Sequence, residues 1–315
     1  LYVYNESVGC WKKIEGSGVN KTERYVYGNI SFGTFFGTIS IFGRPYIWYV
    51  DDSGGGDFNI IQYAIDNASE GDTIIVYNGT YEESIEIYKQ LNISGTDMPV
   101  VNAYDKEYAV IISANGCLLH GFKVINAKVA GIYIKSDHNN ISNNDIILNF
   151  GHGILVYGDN NTISSNNASH NYGYGLCIYN SNGNNLTNNN ATWSYRAGIR
   201  LLYSYDNIIS RNVVQMNNMQ GIYVSYSDNN TISNNIIMSN NDKGVHLFKS
   251  TSCNISNNVI NSNNRKGIYL NFSDNNLIIS NNVDSNIDEG ISLWNSRHNL
   301  ISDNIIDANV EQGIY

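Results

Sequence analysis

Apolar residues run along this chain in threes and fours, every second one facing the same way, with short runs of Asn, Ser and Gly between them. In Gly131-Ile-Tyr-Ile134 this period of two puts Ile132 and Ile134 on one face and Tyr133 on the other. The pattern Gly-aliphatic-x-aliphatic returns at Gly131, Gly153, Gly175, Gly198, Gly221, Gly244, Gly267, Gly290 and Gly313, in two steps of 22 residues and then six of 23. A second anchor, Ile-Ser-Asn-Asn-Ile in its best copies, places its last Asn at Asn144, Asn167, Asn190, Asn212, Asn235, Asn258, Asn282 and Asn304. A third lies six residues past each glycine, at Asp137, Asp159, Ser181, Ser204, Ser227, Ser250, Ser273 and Ser296. Three registers in phase over more than half the chain predict a solenoid.

Each unit is too short for a pair of helices. Short strands joined by turns predict an all-β fold, a single-stranded parallel β-helix of 22–24 residues per coil, with coils stacked at about 4.8 Å. Asn suits left-handed turn positions, and stacked Asn amides hydrogen-bond from coil to coil. Ahead of the array, Phe58, Ile61, Ala64, Ile65 and Ala68 share one helical face with Asp57 as N-cap. That predicts a capping helix near 58–68 lying across the first coil, followed by strands over 73–77 and 84–88. Residues 1–46 form a separate Gly- and aromatic-rich β extension, and 47–315 the β-helix. The 19 residues from Tyr25 to Gly43 carry no charge, but about half are Gly, Ser, Thr or Asn, so strands are expected and no membrane span.

Composition sharpens this reading. Asparagine supplies 53 of 315 residues, while charged residues are only 15% and prolines two. Columns of like charge stacked one coil apart would repel, so low charge is what such a fold requires. Aromatic content of 12% excludes disorder, and a net charge of -10 argues against a nucleic-acid partner.

The stretch from Trp48-Tyr-Val-Asp-Asp-Ser-Gly-Gly-Gly-Asp57 through Ala68, then Gly71-Asp-Thr-Ile-Ile-Val-Tyr-Asn-Gly-Thr-Tyr81, resembles the opening of the NosD-like right-handed parallel β-helix proteins. His120-Gly-Phe-Lys-Val-Ile-Asn126 and the Asn-Asn-Thr-Ile-Ser coils near 160–167 and 229–235 extend the likeness over roughly residues 47–315. The resemblance implies a right-handed β-helix more than a function. Such relatives include copper-maturation proteins, polysaccharide lyases and hydrolases, and archaeal surface-layer and sheath components. Function must therefore be argued from sites.

Of seven asparagines in the first hundred residues, six stand in Asn-x-Ser/Thr: Asn5, Asn20, Asn29, Asn67, Asn78 and Asn92. Further sequons at Asn140, Asn160, Asn167, Asn185, Asn190, Asn229, Asn254 and Asn271 carry less weight, because the repeat itself spells them. The N-terminal excess predicts an exported glycoprotein of the cell surface or envelope. Leu1 in place of Met fits a removed signal peptide or a trimmed chain. Cys10, Cys117, Cys177 and Cys253 show no CxxC spacing, so zinc and redox motifs are not expected. They are disulfide candidates. Cys177 takes the outward place held in other coils by Tyr133, Leu155, Arg200, Tyr223, His246, Tyr269 and Ser292, so an intersubunit bridge, an intrachain bridge and a free thiol all stay open.

Catalytic chemistry, if present, is expected at Asp137 and Asp159, one coil apart, a spacing that suits a retaining glycosidase pair or a calcium site, with His152 and Arg200 nearby. Gly151-His152-Gly153 resembles the Gly-His-Gly of polygalacturonases, but the paired Asp-Asp that this resemblance implies in the coil before His152 and the Arg-x-Lys clamp after it are missing. Asp51, Asp52 and Asp57 read as a turn plus an N-cap rather than a cation site. The histidines fall out of coil register and Met is scarce, so neither a metal nor a cofactor is expected. Tyr157, Tyr179, Tyr203, Tyr226, Phe248, Phe272 and Trp294 recur four or five residues past each glycine as an aromatic column. It serves stability, a lateral interface or a platform for cell-surface glycans.

The chain stops at Gly313-Ile-Tyr315 partway through a coil, so the expectation is either a piece of a longer chain or an open edge that another chain continues. The leading expectation is a non-enzymatic structural glycoprotein, archaeal, whose partner is itself in a surface layer, sheath or filament. The alternatives are an extracellular polysaccharide-binding or polysaccharide-cleaving β-helix protein and, third, a copper-maturation protein.

Overall fold

A computed structural model describes residues 45–315 together with the strands Tyr2–Asn5, Cys10–Lys13, Gly18–Asn20 and Tyr25–Tyr27. The chain divides into two units, Leu1–Pro45 and Tyr46–Tyr315. In the first, the four strands pair as two antiparallel hairpins. The rest of Tyr25–Gly43, and the alternation at 37–42, lie outside the described residues. Among the described residues no helix is long and apolar enough to cross a membrane.

The second unit is a right-handed parallel β-solenoid. Its twelve-stranded sheet runs from Ile47–Val50 to Leu300–Ser302, and its ten-stranded sheet from Ile85–Ile87 to Ile291–Trp294. A third sheet has four strands from Thr80–Tyr81 to Asp145–Ile146 and six from Asn190–Thr192 to Ile305–Asp307, linked by single bridges through Asn167. Ile132 pairs with Ile154 and Leu176 with Ile199, steps of 22 and 23 residues. Inward side chains such as Ile132, Ile154, Leu176, Ile199, Ile222 and Val245 are fully buried in one continuous core. Each such side chain contributes about 1.5–3 kcal/mol.

Three asparagine ladders, rather than one, hold the turns. The first contains Asn139, Asn161, Asn184, Asn207 and Asn230, the second Asn144, Asn166, Asn189, Asn212 and Asn235, the third Asn149, Asn171, Asn217 and Asn240. In each, the side-chain oxygen accepts a backbone N–H from the preceding coil, and the amide commonly donates to a backbone carbonyl further back. The structure corrects the register read from sequence: the stacked residues are Asn166, Asn189 and Asn281, whereas Asn167, Asn190 and Asn282 are half-exposed on the third sheet. Within a pair such as Asn234-Asn235, the first residue takes the left-handed turn (φ 58°) in solvent, and the second is buried in the ladder. Cys117 and Cys253 are explained here, since both occupy asparagine positions of the first ladder and are buried.

The serine register also shifts. Ser181, Ser204, Ser227 and Ser250 stack in one buried column. Asp137 and Asp159 lie instead in the next column, where Asp159 Oδ1 accepts the N–H of Asn182 at 2.6 Å.

A helix, α1 (Ile61–Asn67), packs Ile61, Ala64 and Ile65 into the core. It is shorter than the sequence pattern suggests, and Asp57 does not cap it. The Asp57 carboxylate accepts the N–H of Tyr49 at 2.9 Å, while Glu83 caps α1 from the following coil, accepting from Ile61 N–H at 2.8 Å and Gln62 N–H at 3.0 Å. A tertiary carboxylate thus fills the place a local side chain was expected to fill.

Candidate functional site

The outward column Tyr133, Leu155, Cys177, Arg200, Tyr223 and His246 is present on the ten-stranded sheet in the expected register. Leu155 and Cys177 are short beside Tyr133 and Arg200, so the surface dips between them. The result is a cavity of about 400 Å³ lined by Tyr133, Tyr157, Tyr174 and Tyr179 together with Arg196 and Arg200.

His152 and Tyr174 stand in successive coils with rings 5.1 Å apart and nearly parallel. His152 Nδ1 accepts the N–H of Tyr174 at 3.1 Å, which leaves the ring proton on Nε2. Burial, reinforced by the Arg196 charge, pulls its pKa from 6.5 to about 4, so the imidazole is neutral. The guanidiniums of Arg196 and Arg200 lie 5.4 and 5.5 Å from the Tyr174 ring centre, and Arg200 is 4.2 Å from that of Tyr223. Cys177 is a free thiol in the floor, buried, and burial pushes its pKa up to about 12 although both arginines oppose that. Such a thiol is a poor nucleophile. Cys117 and Cys253 are likewise free; the side chain of Cys10 lies outside the described residues.

Of the four residues named for catalysis, the structure brings His152 and Arg200 together and leaves Asp137 and Asp159 outside the cavity. Asp137 Oδ1 accepts the N–H of Asp159 at 2.7 Å, so both carboxylates serve as turn acceptors between coils. Asp52 is used in the same way, by Thr80 N–H, and Asp51 accepts from Ser53 N–H and Oγ–H within its own turn. The sequence reading missed Tyr174 and Arg196. The available signal was their place one and two residues before repeat glycines Gly175 and Gly198, in a chain with few cations.

The aromatic column splits into two registers. Tyr157, Tyr179, Phe248 and Trp294 lie on strands or beside them, whereas Tyr203, Tyr226 and Phe272 sit one residue later at left-handed positions with φ of 52°, 50° and 50°. The rings still touch from Tyr108 through Tyr133, Tyr157, Tyr179, Tyr203 and Tyr226 to Phe248, at centroid distances of 4.7 to 6.2 Å.

Further along, His246 is sandwiched between Tyr223 and Tyr269 at 4.8 and 5.0 Å, and neither ring nitrogen finds a hydrogen-bond partner among the described residues. Burial, aided by Lys243 and Arg200 and opposed by Asp242, pulls its pKa from 6.5 to about 3. Below pH 6.5 the unfolded chain takes up protons that folded His246 and His152 refuse. Their contribution is therefore complete above that pH and drains away as pH falls, by about 1.4 kcal/mol per unit for each histidine. His246→Phe keeps the stacked ring and removes the orphaned nitrogens. It is expected to raise stability by about 1 kcal/mol at pH 7 and to flatten the loss between pH 6.5 and 4.5. Melting curves across that range check both; an unchanged pH slope would refute the assignment.

Among the sequons, Asn67, Asn78, Asn92, Asn140, Asn160 and Asn229 are exposed. Asn185, Asn254 and Asn271 are half-buried, each with its Oδ1 buried and without a hydrogen-bond partner among the described residues. The side chains of Asn5, Asn20 and Asn29 lie outside the described residues.

A family model described as periplasmic copper-binding protein (NosD) matches residues 65–194 and 174–315. A cell surface glycoprotein of Methanothermus fervidus is 38% identical over 82 residues, which are 25% of this chain and 14% of that protein. The chain thus spans a small part of that relative's length. Among solved structures, the A-module of the mannuronan C-5 epimerase AlgE6 of Azotobacter vinelandii superposes with a TM-score of 0.71 at 16% identity, covering 81% of this chain and 84% of that one. The Dettilon tailspike protein gives a TM-score of 0.67 at 17% identity, covering 78% of this chain and 57% of that one. At such identities the likeness is one of fold.

The family description implies copper, and the described residues do not fit it. No group of three or more His, Cys, Asp or Glu side chains gathers among them. His152 and Cys177 do line one cavity, but Arg196 and Arg200 line it too and repel a cation. What the chain shares with the matched family is the stacked coil itself, over residues 65–315, and by that match it belongs to the NosD family of parallel β-helix proteins.

Proposed function

We propose that this chain is the structural solenoid of an exported cell-surface glycoprotein, non-enzymatic, which associates with copies of itself in a layer, sheath or filament. The observation that carries this reading is how the polar side chains are used. The carboxylates of Asp137 and Asp159 hold backbone N–H groups of adjoining turns, and among the described residues no Asp or Glu lines the cavity. The cell surface glycoprotein relative supports the location, and the exposed sequons support glycan attachment. Glycans are expected on Asn67, Asn78, Asn92, Asn140, Asn160 and Asn229 in preference to Asn185, Asn254 and Asn271, whose partly covered amides resist a bulky enzyme.

Electron microscopy of native envelopes, with glycopeptide mapping of the same material, tests this reading. Ordered assemblies and glycans at the exposed sites are the expected result. Dispersed monomers with and without reductant would remove the assembly claim, and unmodified sequons the glycoprotein claim. Unsaturated or reducing-end products from an acidic polysaccharide, lost in Arg200→Ala, would replace the structural reading with an enzymatic one.

A further inference from the structure

We infer that the cavity beneath Tyr174 is a binding site for an acidic saccharide, a uronate-bearing glycan held through its carboxylate by Arg196 and Arg200. The first reason is charge. The chain carries a net -10; along this face Lys243 and Arg265 pair with Asp242 and Lys266 with Glu289, while Lys249 lies over the Tyr226 and Phe248 rings. Arg196 and Arg200 have no carboxylate partner among the described residues, yet both approach the same ring from the coil that follows it. Two guanidiniums within 5.5 Å of one ring centre, with no carboxylate beside them, gain from a bound anion. Arg200 donates one hydrogen bond, to Ser225 Oγ at 3.2 Å, which leaves most of its fork free for a carboxylate.

The second reason is the wall. Tyr133, Tyr157 and Tyr179 line the cavity along the solenoid axis with centroids 5.6 and 4.9 Å apart, offering ring surface and hydroxyls to successive sugar residues. His152, which also lines the cavity, stays neutral with its proton on Nε2, so it adds no further charge to the site. A cavity of about 400 Å³ holds a short stretch of glycan. The protein's acidity excludes a nucleic acid, whose binding needs many more cations. The inference stands apart from self-assembly: a surface protein that assembles has no need of this cavity, and the cavity has no need of assembly.

Isothermal titration of the purified 315-residue chain with a uronic-acid oligomer tests it, beside a neutral oligomer of equal length, a sulfated oligosaccharide and inorganic sulfate. The uronate oligomer is expected to bind, and to bind more weakly as salt rises. The neutral oligomer is expected to show no heat. Arg200→Ala and Arg196→Gln are each expected to weaken binding by about tenfold or more, the usual weight of a charge-assisted hydrogen bond. Arg200→Lys retains charge without the fork and is expected to fall between. Circular dichroism melts confirm that each variant is folded; Arg196, exposed at the rim, serves even if Arg200→Ala fails to fold. Absence of uronate binding, equal binding of the neutral oligomer, or indifference to the Arg196 change would overturn the inference. So would inorganic sulfate or the sulfated oligosaccharide matching the uronate, since either would mark an unselective anion site.

Discussion

Asn235→Ala is expected to cost about 3–5 kcal/mol, while Asn234→Ala, one residue earlier, is expected to cost about 1 kcal/mol or less. Asn235 is 1% exposed and its amide is used on both sides. Its Oδ1 accepts the backbone N–H of Asn212 at 2.9 Å and the Asn212 amide at 3.0 Å. Its Nδ2 donates to Ile209 O at 2.9 Å and to Asn258 Oδ1 at 3.0 Å. Truncation strands partners in two neighbouring coils, where water does not reach, and each stranded group costs about 1–3 kcal/mol. Asn234 is exposed, and its side chain contributes mainly by easing a left-handed backbone at φ 58°. Denaturant titrations, with hydrogen exchange at the Asn212 amide as a local readout, separate the two. Equal losses would mean that the ladder does not bear the stability assigned to it.

That contrast also explains what could be read from the sequence. The coil period, the strand alternation and the outward column from Tyr133 to Tyr269 follow from the spacing of Gly and Ile, because each requires one residue type at one position. The Asn pairs were ambiguous. Asn166-Asn167 and Asn281-Asn282 offer two adjacent candidates of the same type, and only burial tells the ladder residue from its neighbour. The step from Asp137 and Asp159 to Ser181 failed for a related reason: one extra residue enters the turn before Asn182, and counting from the glycine passes over it. Asp57 was a sound local cap overtaken by Glu83, which is twenty-odd residues distant and invisible to a local pattern. The cavity was the least legible feature. It arises because Leu155 and Cys177 are small where their column neighbours are large, and because Arg196 bends toward a ring in the preceding coil.

The fold leaves chemistry little room. A side chain facing inward must be apolar, one at a turn must bond the next coil, and only the outward columns are free to vary. The outward face of the ten-stranded sheet is where variation is concentrated, with Tyr, Leu, Cys, Arg and His succeeding one another in a single column. A binding surface on this scaffold is therefore made by changing side-chain size and charge from coil to coil.

The same logic sets the second large expectation, that Gly221→Ala costs about 3 kcal/mol or more. The reason is space, since Gly221 has no left-handed φ to protect. A Cβ there would lie 2.5 Å from Ile237 Cγ2, 2.7 Å from the carbonyl oxygen of Gly244 and 2.8 Å from Asn240 Nδ2. The carbonyl belongs to the next coil's backbone, and the Asn240 amide is committed to Val214 O at 3.1 Å and Asn263 Oδ1 at 3.0 Å. Relief requires either opening the coil spacing or breaking the third ladder, and each propagates to neighbouring coils. Gly313→Ala supplies the comparison: it alters the same repeat glycine, but in this chain its Cβ would meet only Ile306 Cγ2, at 3.5 Å. That change is expected to be nearly neutral. Thermal melts of the two variants decide the matter, and a Gly221→Ala protein as stable as the Gly313→Ala protein would show that the coils are more loosely stacked than these distances require.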